Sequence, residues 1–242
     1  MGFTYPAAMW SGALPSQVMT DMVEWAANQG GVYTVNSPHQ PTPKTISGVC
    51  GFVQLGQGWA FLLHDMVDRF QILMYAMAAI GNTPGTWTAA ECFGPGGSAS
   101  GYAAPSQVLL PTFLRWQLLF EDPFDEVLWF GRATPRTWLA ADKTSPVALR
   151  GAPTSYGKLS FSMQATGTKT IAANVTLGSG FRWPAGGLTL RLRSPSYPAL
   201  KISSVKVGGV SWSVFNATAE TVTIAKAPQS LAALEDIVAT LA

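Results

Sequence analysis

The sequence pattern changes once along the chain, near Glu121, and this change constrains the fold more than any other feature. Upstream, apolar residues recur at helical spacing, and the last such run is SQVLLPTFLRWQLLF. Downstream, short segments rich in Ser, Thr and Val alternate with Gly and Pro turns. Because the two periodicities occupy separate stretches, the sequence predicts an α+β protein of two domains. We place a helical domain at residues 1–122 and an antiparallel β-sandwich with a helical tail at residues 123–242.

The two parts also differ in charge. Residues 1–122 carry seven acidic and three basic side chains, whereas the remainder carries six acidic and twelve basic ones. Charged residues are 12% of the chain, about half the usual fraction. This composition predicts either extensive burial or a surface that something else covers. The basic residues are spaced singly rather than clustered, which argues against nucleic acid as a partner.

The helical part shows three segments with helical periodicity and the usual start and stop signals. They cover Gln17–Asn28, Phe52–Ile80 and Ser106–Phe120. We expect a break in the second near Gly56–Gly58 and a kink in the third at Pro111. Charged residues interrupt the second segment, so we expect no membrane span.

The second part shows eight short strand patterns divided by turn residues, as in a β-sandwich. They cover Glu126–Gly131, Val147–Leu149, Lys158–Thr166, Thr170–Leu177, Gly187–Arg193, Ile202–Val207, Val210–Val214 and Thr221–Ile224. In the fifth, Leu188, Leu190 and Leu192 are predicted to face the core, and Thr189, Arg191 and Arg193 to face solvent. Val207–Val210 predicts a tight hairpin. The apolar spacing in Gln229–Ala242 predicts a terminal helix.

This sequence contains few of the standard catalytic and metal-binding motifs. Its two histidines, His39 and His64, belong to no zinc-binding pattern, and the glycines at Gly94–Gly97 lack the context of a phosphate loop. We therefore expect neither a metal nor a cofactor. Cys50 and Cys92 could pair, remain free or merely fill space, and free buried thiols are the favoured interpretation.

Glu91 is the candidate for catalysis or sugar binding. It lies in a long segment without periodicity, between Trp87 and Tyr102 and close to Thr86 and Thr88. Glycosidic bond cleavage requires a carboxyl group held between apolar walls, and flat aromatic rings stack on sugars. Alternatively, Glu91 caps a helix or pairs with a cation such as Arg69.

Other carboxylates have structural interpretations as well as functional ones. Asp65 and Arg69 are four residues apart and would pair on one helix face, although Asp65 or Asp68 could also face substrate. The acids at 121–122 and 125–126 are expected to cap the helix end and fix the domain boundary. Trp116, Trp129 and Trp138 are expected to be core or interface anchors.

Several motifs near the boundary resemble one family. They are GTWTAAE, GYAAPSQVLLPTFLRWQLLFED, EVLWFGRATPRTWLA and GAPTSYGKLSFSMQA, followed later by VKVGGVSWSVFNATAETVTI. Over residues 50–226 the chain resembles the C-terminal part of six-hairpin glycosidases, which are (α/α)6-barrel glycoside hydrolases with a trailing antiparallel β-domain. The "PRxWL" turn of that family corresponds to Pro135–Leu139, and its "APTxYG" turn to Ala152–Gly157.

This resemblance implies the C-terminal portion of a glycoside hydrolase that uses paired carboxylates and is incomplete on its own. Glu91 would supply a catalytic carboxylate, and substrate would meet Trp87, Tyr102, Trp59, Asp65 and Asp68. Since a full toroid needs more helices, the missing N-terminal part or a second chain would complete the barrel. An extracellular or periplasmic location is favoured over a cytoplasmic one.

The alternative is a non-catalytic carbohydrate-binding or interaction module. Trp183, Tyr197 and Trp212 lie near turns of the β part and could stack on glycans. Exposure of all three rings on one plane would favour this binding role, whereas burial of all three would favour a structural role.

Overall fold

The structure is a computed structural model that describes residue 14 and residues 16–28, 49–83, 85–93, 101–140, 142–228 and 230–242. The chain is α+β, and it forms two compact units, one ending at Arg115 and the next beginning at Trp116. The predictions for His39 and Gly94–Gly97 lie outside the described residues. The division into domains at residues 1–122 and 123–242 stays a prediction; residues 119–122, just before that boundary, belong to a strand.

The helical unit contains short helices and one small two-stranded ladder. The elements are α1 (Ser16–Asn28), β1 (Val49–Cys50), α2 (Gly51–Leu63), α3 (Val67–Ile80), β2 (Cys92–Phe93), α4 (Ala104–Gln107) and α5 (Leu109–Leu118), whose last turn lies in the second unit. β1 pairs with β2 in antiparallel register.

The predicted break near Gly56–Gly58 is wrong, because α2 runs through these glycines. The break lies at residues 64–66, where Asp65 adopts a left-handed φ of 58°. Gly58 is needed for close packing instead. A Cβ there would lie 2.5 Å from the Phe113 ring of α5, and Phe113 in turn meets Phe70 edge-on at 5.2 Å.

The third predicted helix is interrupted at Val108, between α4 and α5. Pro111 follows one turn later. It has no N–H to donate, and its ring crowds the carbonyl four residues earlier, at Gln107. The helix ends at Leu118 rather than Phe120, and the chain continues directly into a strand.

The second unit is built from two sheets. Its strands are β3 (Leu119–Asp122), β4 (Val127–Phe130), β5 (Val147–Thr154), β6 (Gly157–Thr166), β7 (Thr170–Leu177), β8 (Leu188–Arg191), β9 (Ile202–Val207), β10 (Val210–Trp212), β11 (Phe215–Asn216), β12 (Thr221–Ile224) and β13 (Ile237–Leu241). The orders are β10-β9-β13-β7-β6-β5 and β11-β12-β8-β4-β3. Neighbours are antiparallel except for the parallel pair β4–β8.

One apolar core joins the two sheets. The alternation in β6 is confirmed, because Leu159, Phe161 and Met163 are buried while their polar neighbours are less so. Phe161 meets Phe130 of the other sheet with ring centroids 5.1 Å apart. The predicted hairpin at Val207–Val210 is also confirmed, with both glycines at positive φ as a primed turn requires.

β8 departs from its predicted pattern because both of its faces are buried. Thr189, Arg191 and Arg193 were expected to face solvent, but their exposed fractions are below a tenth. Arg191 donates to the carbonyl of Arg132 at 3.2 Å, and Arg193 to that of Thr134 at 3.3 Å. Main-chain carbonyls therefore bind guanidinium groups on this face.

The predicted terminal helix is wrong. Leu231–Glu235 forms only a 3₁₀ turn, and Ile237–Leu241 forms β13. This strand lies inside the six-stranded sheet between β7 and β9. Every second side chain of β13, at Ile237, Ala239 and Leu241, is buried in the core. This alternation is that of a strand, although the apolar residues of the whole segment are spaced as in a helix.

Candidate functional site

The segment around Glu91 is ordered by a short antiparallel contact with residues that follow it in sequence. We call residues 85–93, together with the paired residues 101–103, the Glu91 loop. Ala90 forms a bridge with Tyr102. The Glu91 N–H donates to the Gly101 carbonyl at 2.9 Å, and the Ala103 N–H donates to the Ala89 carbonyl at 3.3 Å. These backbone bonds hold the middle of the loop in place.

Gln107 fixes the loop from α4 through both ends of its side-chain amide. Its Oε1 accepts the Ala89 N–H at 2.9 Å, and its Nε2 donates to the Trp87 carbonyl at 2.7 Å. Trp87 has a φ of 55°, which a non-glycine residue rarely adopts. Its N–H also donates to the Thr83 carbonyl at 2.9 Å, so hydrogen bonds on both sides maintain this conformation.

The carbonyl of Glu91 anchors the loop to the start of α2. It accepts the Gly51 N–H at 3.1 Å and the Ser106 hydroxyl at 3.4 Å. A Cβ on Gly51 would lie 2.9 Å from the Ser106 Oγ. The absence of a side chain at Gly51 therefore allows α2 and α4 to approach each other here.

The functional groups of this loop face outward. Trp87 is 58% exposed and Tyr102 is 71% exposed. Glu91 is also exposed, and the hydroxyls of Thr86 and Thr88 lie 2.9 Å apart. Two accessible rings, a carboxylate and two hydroxyls therefore belong to one immobilised segment, which is a set of groups suited to sugars.

The alternative ion pair between Glu91 and Arg69 does not form. Arg69 donates to Glu24 of α1 at 2.6 Å instead. The predicted pairing of Arg69 with Asp65 assumed that both residues lie on one helix. Asp65 is not helical, because α2 ends at Leu63 and α3 begins two residues after Asp65.

Asp65 and Asp68 are not brought to the Glu91 loop. Glu91 contacts the first residue of α2, whereas Asp65 follows the last residue of that helix. With a rise of about 1.5 Å per residue, the axis from Gly51 to Leu63 spans about 18 Å. Trp59 lies between the two ends and is half-buried. The candidate residues therefore divide into one group at each end of α2.

The three aromatic residues of the alternative hypothesis form no common surface. Tyr197 is fully exposed. Trp183 and Trp212 pack against the apolar core of the second unit, and their indole N–H groups donate to the carbonyls of Ala225 at 3.2 Å and Thr223 at 3.0 Å. One ring is therefore exposed and two are half-buried, so the three rings match neither of the arrangements that would have separated a binding role from a structural one.

The acidic residues after α5 stabilise turns. Asp122 Oδ1 accepts the N–H groups of Phe124 at 3.0 Å and Asp125 at 3.2 Å. Glu121 Oε2 accepts the Ser155 N–H at 2.9 Å. Asp122 thus closes the β3–β4 turn, and Glu121 secures the turn between β5 and β6, which favours their structural interpretation.

Tyr156 in the β5–β6 turn has an altered ionisation equilibrium. Burial raises the pKa of Tyr156 above its ordinary value, and the carboxylates of Glu126, Glu121 and Asp122 raise it further, while Arg182 opposes them. The phenol therefore stays neutral at physiological pH. This neutral group is part of the turn that resembles the "APTxYG" motif.

Of the tryptophans predicted to be core or interface anchors, Trp129 stacks against an arginine and Trp138 borders a cavity. Trp129 of β4 lies under the guanidinium of buried Arg132, 3.8 Å from its ring centroid. Trp138 is only half-buried and borders an open cavity of about 370 Å³. The cavity is also lined by Asp142, Lys143, Thr144, Ser145 and Val147. No sequence signal marked this cavity, because its residues follow one another along one ordinary loop.

In the part of the chain that the structure describes, no three His, Cys, Asp or Glu side chains are grouped so as to hold a metal ion. None of the helices in these ranges combines the length and apolar character of a membrane-spanning segment. No protein-family model matches the chain, and no curated protein matches it. The resemblance to six-hairpin glycosidases therefore stays a prediction.

Proposed function

We propose that this chain is the C-terminal portion of a six-hairpin glycoside hydrolase, and that the Glu91 loop is its contribution to the sugar-binding cleft. The observation that carries the proposal is the exposure of Trp87 and Tyr102 on a hydrogen-bonded loop that also holds Glu91. Exposed apolar surface that is contiguous often marks a binding site, whereas single exposed rings are common on protein surfaces.

The order of the loop supports a binding role. Gln107 and the Ala90–Tyr102 bridge fix the backbone that carries both rings. A ligand that stacks on these rings then has less conformational entropy to remove than it would on a mobile loop. The hydroxyls of Thr86 and Thr88 add polar groups that can contact the edge of a sugar.

In this proposal Glu91 supplies one of two carboxylates. Glycoside hydrolysis uses a pair roughly 5–9.5 Å apart, whereas Asp65 and Asp68 lie at the other end of α2. The residues of this chain outside the described ranges include no Asp or Glu. In this proposal the second carboxylate therefore comes from the missing N-terminal part of the enzyme or from another polypeptide. The helices of the first unit would form part of an (α/α)6 barrel. Ile72 and Tyr75 on α3, each 47% exposed, provide apolar surface for a neighbouring helix.

The second candidate is a sugar-binding surface without catalysis. The exposure of Glu91 favours it, because a general acid normally requires apolar walls around its carboxyl group. In this role Glu91 would accept hydrogen bonds from sugar hydroxyls, while Trp87 and Tyr102 would provide the stacking surface.

Two assays on the full chain separate these functions. Turnover is measured with aryl glycosides, and binding is measured by affinity electrophoresis in gels containing β-glucan, xylan, α-mannan or pectin. The variants are Glu91→Gln, Trp87→Ala and Tyr102→Ala. Tyr197→Ala is the control, because it removes an exposed ring from the second unit.

A hydrolase is supported if Glu91→Gln abolishes turnover while retaining binding. The sugar-binding role that both candidates share is supported if the changes at Trp87 and Tyr102 each weaken binding about 10-fold or more, which corresponds to about 1.4 kcal/mol. Absence of turnover by the chain alone agrees with both candidates, because the hydrolase proposal takes its second carboxylate from elsewhere. Both candidates fail if these two changes alter binding no more than Tyr197→Ala does.

A further inference from the structure

The backbone places the only two cysteines of the chain opposite each other. Cys50 of β1 and Cys92 of β2 are partners in the antiparallel register, flanked by the pair Val49 and Phe93. The two residues are distant in sequence, so this pairing results from the fold. It places both cysteines at the base of the Glu91 loop.

The hydrogen bonding identifies the type of pair. The Gly51 N–H donates to the Glu91 carbonyl at 3.1 Å, so the next pair along the ladder, Cys50 with Cys92, is a non-hydrogen-bonded one. Pairs of this type have α-carbons about 4.5 Å apart. Disulfides span α-carbon separations of roughly 4.4–6.8 Å, so the backbone meets the distance requirement without moving.

We propose that Cys50 and Cys92 form a disulfide that closes the base of the Glu91 loop. A small-molecule disulfide such as oxidised glutathione serves as the oxidant. One cysteine thiolate attacks it, forms a mixed disulfide and releases one glutathione thiolate. The second cysteine thiolate then attacks the mixed disulfide and releases the other. The protein loses two protons and two electrons, and glutathione disulfide is reduced to two thiols.

The bond would join the residue before α2 to the residue after Glu91. The Gly51–Glu91 hydrogen bond already links these two segments without a covalent bond. A disulfide beside it would keep the loop closed even when that hydrogen bond opens. This inference holds whatever the Glu91 loop binds, because it depends only on the β1–β2 register.

The test equilibrates the full chain with defined ratios of reduced to oxidised glutathione, traps free thiols by alkylation and maps the products by mass spectrometry. Trypsin cleaves after Lys44, Arg69 and Arg115, so the two cysteines fall in separate peptides, 45–69 and 70–115. The same titration in strong denaturant removes the register and serves as the reference. Cys50→Ser is the control in which Cys92 has no partner cysteine in its own molecule, so it can only be alkylated, carry glutathione or link to another molecule.

We expect peptides 45–69 and 70–115 to be joined within one molecule. We also expect the folded chain to require a reductant ratio at least about tenfold higher for half-reduction than the denatured chain. Equal midpoints in the two states would overturn the proposal, as would a link found only between molecules. Both readouts use the unaltered chain, so poor folding of Cys50→Ser would not affect the conclusion.

Discussion

Gln107 holds the Glu91 loop with both ends of its amide, so replacing it tests whether the loop is preorganised for binding. Gln107→Leu removes two hydrogen bonds, to the Ala89 N–H and the Trp87 carbonyl. Gln107→Glu keeps the first. The second hydrogen bond is lost, because a carboxylate oxygen then faces the Trp87 carbonyl and neither group can donate. Net contributions are about 0.5–1.5 kcal/mol per bond, so we expect the leucine variant to lose about 1–3 kcal/mol of local stability.

That loss translates into weaker sugar binding if the loop must be ordered to bind. At 1.4 kcal/mol per tenfold change, binding should weaken by roughly 5- to 150-fold in Gln107→Leu. The assay is affinity electrophoresis against whichever polysaccharide retards the wild type. Gln164→Leu is the matched control, because Gln164 also donates to loop carbonyls but does so in the second unit.

Amide hydrogen exchange gives a readout that is independent of the ligand. The Ala89 N–H should exchange faster in Gln107→Leu, but it should stay protected in Gln107→Glu, which retains its acceptor. Unchanged Ala89 exchange in the leucine variant would refute the role of Gln107. Faster exchange with unchanged binding would instead show that the loop need not be ordered to bind.

Three further predictions concern the two units separately. Gly58→Ala would place a Cβ 2.5 Å from the Phe113 ring, and it should lower the free energy of unfolding by about 1–3 kcal/mol. Gly101→Ala is the control, because a Cβ there meets no atom within 4 Å. It should change the melting temperature little. Glu220→Gln removes the charge from a buried carboxylate that accepts two hydrogen bonds from Arg136 at 2.7 Å and one from the Ser194 N–H at 2.6 Å. We expect the free energy of unfolding, measured with denaturant, to fall by about 3–5 kcal/mol. A fall below about 1 kcal/mol would contradict this. Because the pKa of Tyr156 is raised in the folded state, its phenol ionises first in the unfolded chain as pH increases above about 10.0. The free energy of unfolding should therefore fall as pH rises through the folded pKa. Tyr156→Phe should reduce that fall.

The strands could be predicted well because their signals are local. Thr170–Leu177, Ile202–Val207 and Thr221–Ile224 begin and end at the predicted residues. Each is bounded by turn residues, and Thr170–Leu177 also buries alternate side chains in the core. Arg191 shows the limit of this reasoning. A sequence pattern does not reveal that the polar face of its strand is buried as well as the apolar one.

The helical predictions failed where packing between distant segments decides the outcome. Gly58 resembles a helix breaker, but it lies within α2 because Phe113 occupies the space next to it. The final segment has apolar residues at helical spacing, yet β7 and β9 supply hydrogen-bonding partners on both sides of Ile237–Leu241. Neither neighbour can be identified from the local pattern.

The candidate site was partly accessible from sequence. Glu91, Trp87 and Tyr102 were identified by residue type and by their position in a segment without periodicity, and the structure keeps them on one ordered loop. Gln107 was missed because a single glutamine in a helical pattern carries no distinguishing signal. The separation of Asp65 from Glu91 depends on the direction of α2 relative to the loop, which the sequence does not specify.

The position of β13 has a consequence for how the second unit is made. Strands β5–β7 form one consecutive antiparallel group and β9–β10 form another, and β13 joins them although it is synthesised after both. While the chain emerges from the ribosome, β7 and β9 therefore each present an unpaired edge. Neither edge gains its native partner until residues 237–241 have been synthesised.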